Sequence, residues 1–279
     1  MAVRSRDDGL GVPDEEPGRD GRPGRRDEGH RDRVGGTPRE QDQVHGPLDV
    51  ADVIAEGVRG VPAAEIPRRL CAVAVELLPV TGASVSLRGN GMPVRMGASD
   101  AAAARLAEIQ ATLGDGPSLY AAQAGAPVLA SDLTAGRDAR RWPVFAQQAA
   151  EAGVRAVYSV PLGDDAVCVG TLDLYGDAPH ELSGRELHTA RLVAGVMTLA
   201  LMSLPLDEDD EDAGEASWLS AVAAEQDEVY QAIGMIMAQL GVGADEALAL
   251  LRAHAFAQGR TALDVAHEVI THRKRFDRD

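Results

Sequence analysis

Six consecutive acidic residues, Asp207 to Asp212, follow Pro205 and cut the apolar pattern of this 279-residue chain in two. Like charges in a row repel and cannot share a dry interior, so residues 204–216 read as an extended, solvated linker. Upstream, short runs with strand character alternate with helical spacing. Downstream, apolar residues recur at helical spacing. The feature therefore predicts an α+β domain over about 47–203, with an antiparallel sheet flanked by helices. An all-α domain over about 217–276 follows it.

Residues 1–46 carry Arg, Asp, Glu, Gly and Pro and almost no apolar side chains. Such a segment cannot bury enough surface to offset chain entropy and is expected to be a disordered tail. The formal net charge of −17 opposes non-specific attraction to a phosphate backbone, so any nucleic-acid contact must use a local basic surface. The two cysteines, Cys71 and Cys168, lie far apart without metal-ligand spacing and read as small buried hydrophobes in a reducing compartment. The charged N-terminus lacks the apolar run of a signal peptide, and Leu192–Leu206 is shorter than the roughly 20 residues that cross a bilayer. A cytoplasmic protein with no membrane contact is expected.

Within the first domain, Ile66, Leu70, Val73, Ala74, Leu77 and Leu78 recur at helical spacing. Ser84–Leu87 and Val94–Met96 read as strands about a Gly89-Asn90-Gly91 turn. Ala101–Thr112 is helical and stops at Gly114-Asp115-Gly116-Pro117. Val128–Ala130 is a short strand, and Phe145–Ala152 a helix ended by Gly153. Ala156–Leu162 and Ala166–Tyr175 form a hairpin across Gly163-Asp164-Asp165. Ser183 with Glu186 three residues on is a capping box for a helix reaching about Met202.

In the second domain, Leu219, Val222, Gln226, Val229, Ile233, Ile236 and Leu240 follow alternating spacings of three and four. That is a heptad seam with one polar interruption. It is satisfied by a parallel dimer or by packing within a single bundle. The dimer is expected, because the first half of the seam precedes any helix that could cover it. Gly241-Val242-Gly243 ends this long leading helix. A second helix over Asp245–Ala257 and a third opened by Thr261 and Asp264 complete a three-helix bundle.

The first domain resembles the GAF family. The resemblance rests on Leu113-Gly114-Asp115-Gly116-Pro117, Gly125-Ala126-Pro127-Val128, Ser131-Asp132-Leu133, Trp142-Pro143, Ser159-Val160-Pro161-Leu162 and Gly170-Thr171-Leu172-Asp173-Leu174, in order over about 135 residues. It implies a sensory cup for a small-molecule ligand, with Gly114, Gly116 and Tyr158 as pocket residues. A glycine-rich break before a helix can offer free backbone N–H groups to a polar ligand, or can simply make a tight turn. No cofactor is expected. Cys71 and Cys168 fall on core positions where a linked chromophore would find no room, and His180 and His188 flank a helix start where surface histidines are common. No metal site and no catalytic triad, acid pair or phosphate loop is apparent, so an enzyme is not expected.

The second domain is similar to the ANTAR module, on Ala232-x-Gly234-x-x-Met237, then Ala247-x-x-x-Leu251-Arg252-x-x-Ala255, then Leu263, Val265, Ala266 and Val269. The resemblance implies a homodimer that binds paired RNA stem-loops in nascent transcripts and controls antitermination. Phosphate and loop-base contacts would come from Gln231, Arg252, His254, Arg260, Arg273, Lys274 and Arg275. Residues 215–279 hold ten acids against six bases, and the position after Ala232, often basic in the family, is Ile233. That balance motivates an alternative, a dimeric protein–protein signalling module whose bundle no longer binds RNA.

Overall fold

The computed structural model describes residues 47–89, 92–163, 167–203 and 216–277, and side chains within these except at 47–49 and 216–226. The expected N-terminal tail, the acidic linker up to residue 215 and the centres of both hairpin turns lie outside the described residues.

The chain opens on α1 (Pro47–Val58) and, after a 3-10 turn at Ala63–Glu65, α2 (Ile66–Leu77). Strands β1 (Gly82–Leu87) and β2 (Val94–Ala98) form the first hairpin, followed by α3 (Ala101–Leu113) and α4 (Pro117–Ala124). Next come β3 (Val128–Ala130), α5 (Gly136–Arg141), α6 (Pro143–Glu151), β4 (Ala156–Gly163), β5 (Cys168–Gly176) and α7 (Gly184–Met202). The helical segment holds α8 (Ala216–Leu240), α9 (Ala244–Ala257) and α10 (Ala262–Ile270). The expected elements are present, and α1 and α5 add to them.

The five strands form one antiparallel sheet in the order β2-β1-β5-β4-β3. Successive side chains on a strand point to opposite faces, which sorts the residues into two layers. Ala83, Val85, Leu172, Leu174, Tyr158 and Val160 face α1, α2 and α7, where Leu70, Val73, Val193 and Met197 complete a dry core. Val157 and Tyr175 face the other way, into a smaller core with Leu106, Trp142 and Phe145. A third core, built on Ile236, Leu251, Val265 and Val269, holds α8, α9 and α10 together.

Helix ends follow the sequence chemistry. The Asp100 carboxylate accepts from the N–H groups of Ala102 and Ala103, and the predicted capping boxes of Ser183/Glu186 and Thr261/Asp264 are both formed. Gly153 takes a left-handed φ of 85° after α6. The bundle is not separate from the sheet domain: the described residues from 47 to 277 belong to one compact unit, with α9 against α3 and α8 against β2. Among the described residues no single helix is long and apolar enough to cross a membrane.

Candidate functional site

The sheet face beneath α3 and α4 carries polar residues where an ordinary core would be apolar. Ser84 and Ser159 stand opposite Asp173 on its two neighbouring strands, and Ser86 stands opposite Thr171. All five are buried. Ser84 Oγ and the Tyr175 hydroxyl lie 2.8 Å apart, and Ser118 Oγ on α4 lies 2.7 Å from Thr171 Oγ1. Gln110 on α3 accepts from the Ser118 N–H at 2.9 Å. Burial pushes the Asp173 carboxyl up to about 6, against the opposing pull of the Ser159, Ser118 and Thr171 hydroxyls. Asp173 Oδ1, Ser159 Oγ and Gln110 Nε2 are buried without a well-formed hydrogen bond among the described residues. A cavity of about 200 Å³, lined by Ser86, Arg88, Ser118, Leu119, Gln123 and Thr171, opens beside this cluster.

Two donors of the glycine-rich break are engaged within the protein. The Gly116 N–H donates to Asp115 Oδ1, and the Ser118 N–H is taken by Gln110. A Cβ at Gly116, where φ is 137°, would stand 2.6 Å from Gln110 Oε1. Gly116 is thus the gap through which Gln110 reaches the start of α4. Tyr158 does not line the pocket as expected, because its even position on β4 turns it to the opposite face. It is fully buried there, and its hydroxyl donates to the His180 carbonyl at 2.6 Å.

Gly114 and Arg252, assigned by sequence to different ligands, meet each other. Gly114 caps α3 in the left-handed conformation, with φ 65°, and a Cβ there would stand 2.5 Å from Arg252 Nη1. Arg252 is half-buried, and burial lowers the pKa of its guanidinium. Nearby, the Ala262 N–H at the start of α10 donates to Thr112 Oγ1 at 3.1 Å, so the sheet domain satisfies a helix-end donor of the bundle. Arg252 therefore packs at the contact between the two modules rather than on an open surface. Gly114→Ala is expected to lower stability by about 1–2 kcal/mol from left-handed backbone strain alone, read as a lower urea midpoint. Removing the guanidinium in a Gly114→Ala/Arg252→Ala double variant should leave that loss in place.

The far end of the bundle gathers the remaining basic residues. The N–H groups of Arg273 and Lys274 both donate to the Glu268 carbonyl, closing α10 with His272 at a left-handed φ of 57°. The Phe276 N–H then donates to Gln239 Oε1 at 2.8 Å, tying the tail to the end of α8. The His254 ring meets Phe276 edge-on at 5.3 Å, and Lys274 Nζ lies 5.4 Å from the Phe276 ring centre. His254 is held below the usual histidine range by burial and by Lys274 and Arg260, with Glu268 pulling the other way. Arg260 is paired with Glu268 at 2.9 Å. Arg273, Lys274 and Arg275 form no ion pair among the described residues. Gln231 is exposed on α8.

The heptad seam splits. Val229, Ile233, Ile236 and Leu240 pack into the bundle's own core against α9 and α10, which corrects the reading of these four as a dimer seam. The 3.6-residue period of α8 keeps one stripe facing α9 and α10, and that stripe suffices for a bundle. The side chains of Leu219, Val222 and Gln226 lie outside the described residues.

Sequence reasoning missed Gln110, Ser118 and Asp173 as a group. The signal was present: Thr171 and Asp173 alternate with Leu172 and Leu174 in a strand buried on both faces, where a carboxylate needs a reason.

The GAF domain family model matches residues 62–202, and the ANTAR domain model matches 219–270. No curated protein matches the chain. Among solved structures, the GAF domain of a phosphoenolpyruvate-protein phosphotransferase from Coxiella burnetii is 14% identical, over 55% of this chain and 90% of that one, with a TM-score of 0.43. The corresponding Acinetobacter domain is 12% identical over 58% and 97%, also at 0.43. The free methionine-R-sulfoxide reductase of Neisseria meningitidis is 15% identical over 55% and 86%, at 0.41. The five-stranded sheet, its flanking helices and the bundle behind them thus coincide with the two matched segments, and the chain belongs to the GAF domain family and carries an ANTAR domain after it.

Proposed function

We propose that this protein binds RNA stem-loops in nascent transcripts and controls transcription antitermination in response to a small ligand sensed by its GAF domain. The observation that carries the reading is the cluster at the end of the bundle. Arg273, Lys274 and Arg275 supply cations for phosphate, a neutral His254 supplies a donor and an acceptor for a loop base, and Phe276 adds a face beside them. The ligand would enter the cavity beside Ser118 and Thr171. A ligand that prefers one arrangement of the sheet and α3 would shift the population in which Arg252 is released from Gly114 and added to the RNA surface. The leading half of α8, with Leu219, Val222 and Gln226, is the segment proposed to pair two copies.

The test is filter binding of the full chain to tandem stem-loop RNA over a range of salt. Binding is expected at low salt and should weaken steeply as salt rises, because pairing with phosphate releases counterions. Reversing Arg273, Lys274 and Arg275 to glutamate should weaken affinity at least tenfold for every RNA. It should also flatten the salt dependence by about one power for each phosphate left unpaired. Absence of binding even at low salt would sink the RNA reading and leave the protein–protein signalling dimer in its place.

A further inference from the structure

A cavity of about 290 Å³ lies between the two modules, walled by β2 and α3 on one side and by α8 and the start of α10 on the other. It is separate in its lining from the cavity beside Thr171, sharing only Ser86, Met92 and Pro93 with it. Its volume is near the lower end of small-molecule pockets, which run from roughly 300 Å³ upward. At the ~30 Å³ that a water molecule occupies in the liquid, that is the volume of about ten waters.

The lining specifies more than size. Val94, Ala111, Val229 and Ile233 give it apolar walls from both modules. Among the described residues its one cationic lining group is Arg95, on β2. Two carboxylates also line it, Glu108 on α3 and Asp264 on α10. Arg95 Nη2 donates to Glu108 Oε1 at 3.2 Å, while Arg95 Nε is buried with no partner among the described residues. A guanidinium has five N–H donors in a planar fork suited to a carboxylate, so Arg95 retains donors beyond its bond to Glu108. The excess of acids over the single cation favours a ligand that brings a positive group as well.

We propose that this cavity binds a small zwitterion with an apolar body, of the free α-amino acid class, the size of leucine or phenylalanine. Its carboxylate pairs with Arg95, its ammonium lies toward Glu108 and Asp264, and its side chain fills the space between Val94, Ala111, Val229 and Ile233. Because both modules supply walls, the ligand binds only while they are docked and therefore stabilises the docked arrangement. The site rests on this geometry and not on the RNA reading.

Isothermal titration of the full chain with L-leucine and L-phenylalanine tests it, with 4-methylpentanoate and isoamylamine as analogues that each lack one charge. Binding of at least one amino acid is expected, with both single-charge analogues at least tenfold weaker. Arg95→Gln should weaken binding at least tenfold, and Ala111→Met, which fills the cavity from α3, should abolish it. Circular dichroism melts check that each variant is folded, and Arg95→Gln carries the test if Ala111→Met is not. No binding of either amino acid overturns the proposal. So do analogues that bind as well as the amino acids, or binding that survives Arg95→Gln in a folded protein. No RNA enters these measurements, so loss of RNA affinity leaves them unaffected.

Discussion

Ile236→Ala is expected to destabilise the α8–α10 bundle by about 2–5 kcal/mol, the usual range for deleting a fully buried aliphatic side chain. Ile236 is completely buried, in one core with Leu251, Val265 and Val269. Removing its outer atoms forfeits their transfer out of water and leaves a cavity that the three helices cannot close by sliding, because α10 is held at its start by the Thr112 hydroxyl. Urea unfolding followed by circular dichroism reads the loss directly.

The same variant separates two readings of the heptad pattern. A residue in a dimer seam contributes through association, so its loss shifts an unfolding midpoint that itself depends on protein concentration. A residue in the chain's own bundle lowers the midpoint by the same amount at every concentration. The second outcome is expected for Val229, Ile233 and Ile236. A concentration-dependent shift at Ile236 would contradict the intramolecular packing described above.

Local chemistry explains most of what is legible without coordinates. Strands are legible because β1, β4 and β5 alternate within short runs bounded by glycine. Helix ends are legible because Ser183/Glu186 and Thr261/Asp264 satisfy their own orphan donors, whatever surrounds them. The seam is legible as a stripe but not as a contact, since one stripe fits either a second copy or two later helices of the same chain. Gly114 and Arg252 show the same limit at a single pair: a left-handed cap is local, whereas the side chain that covers it comes from 138 positions further along. Tyr158 takes the face opposite to the expected one because residue type alone does not say which side of a sheet a position occupies. Pairing register decides that, and register is a property of three strands at once.

Asp173 supplies the other large effect, and it depends on pH. Its carboxyl sits on the central strand, flanked across the sheet by Ser84 and Ser159, and burial raises its pKa from 3.8 to about 6. Between those two values the folded protein holds a proton that the unfolded chain has released. Stability therefore falls as pH rises through this window and levels off above it. At roughly 1.36 kcal/mol per pH unit the full change is about 3 kcal/mol. Asp173→Asn keeps the shape, cannot ionise, and places an amide donor beside the Ser159 oxygen opposite it. Its stability relative to the natural chain is expected to improve by about 2 kcal/mol between pH 4 and pH 7, the remainder of the change falling below pH 4, measured as the difference between paired urea titrations so that other titrating groups cancel. A difference that stays constant with pH would mean that the carboxyl titrates like an exposed one. The polar cluster would then have to be open to water, and the cavity beside Thr171 would be continuous with solvent down to the sheet.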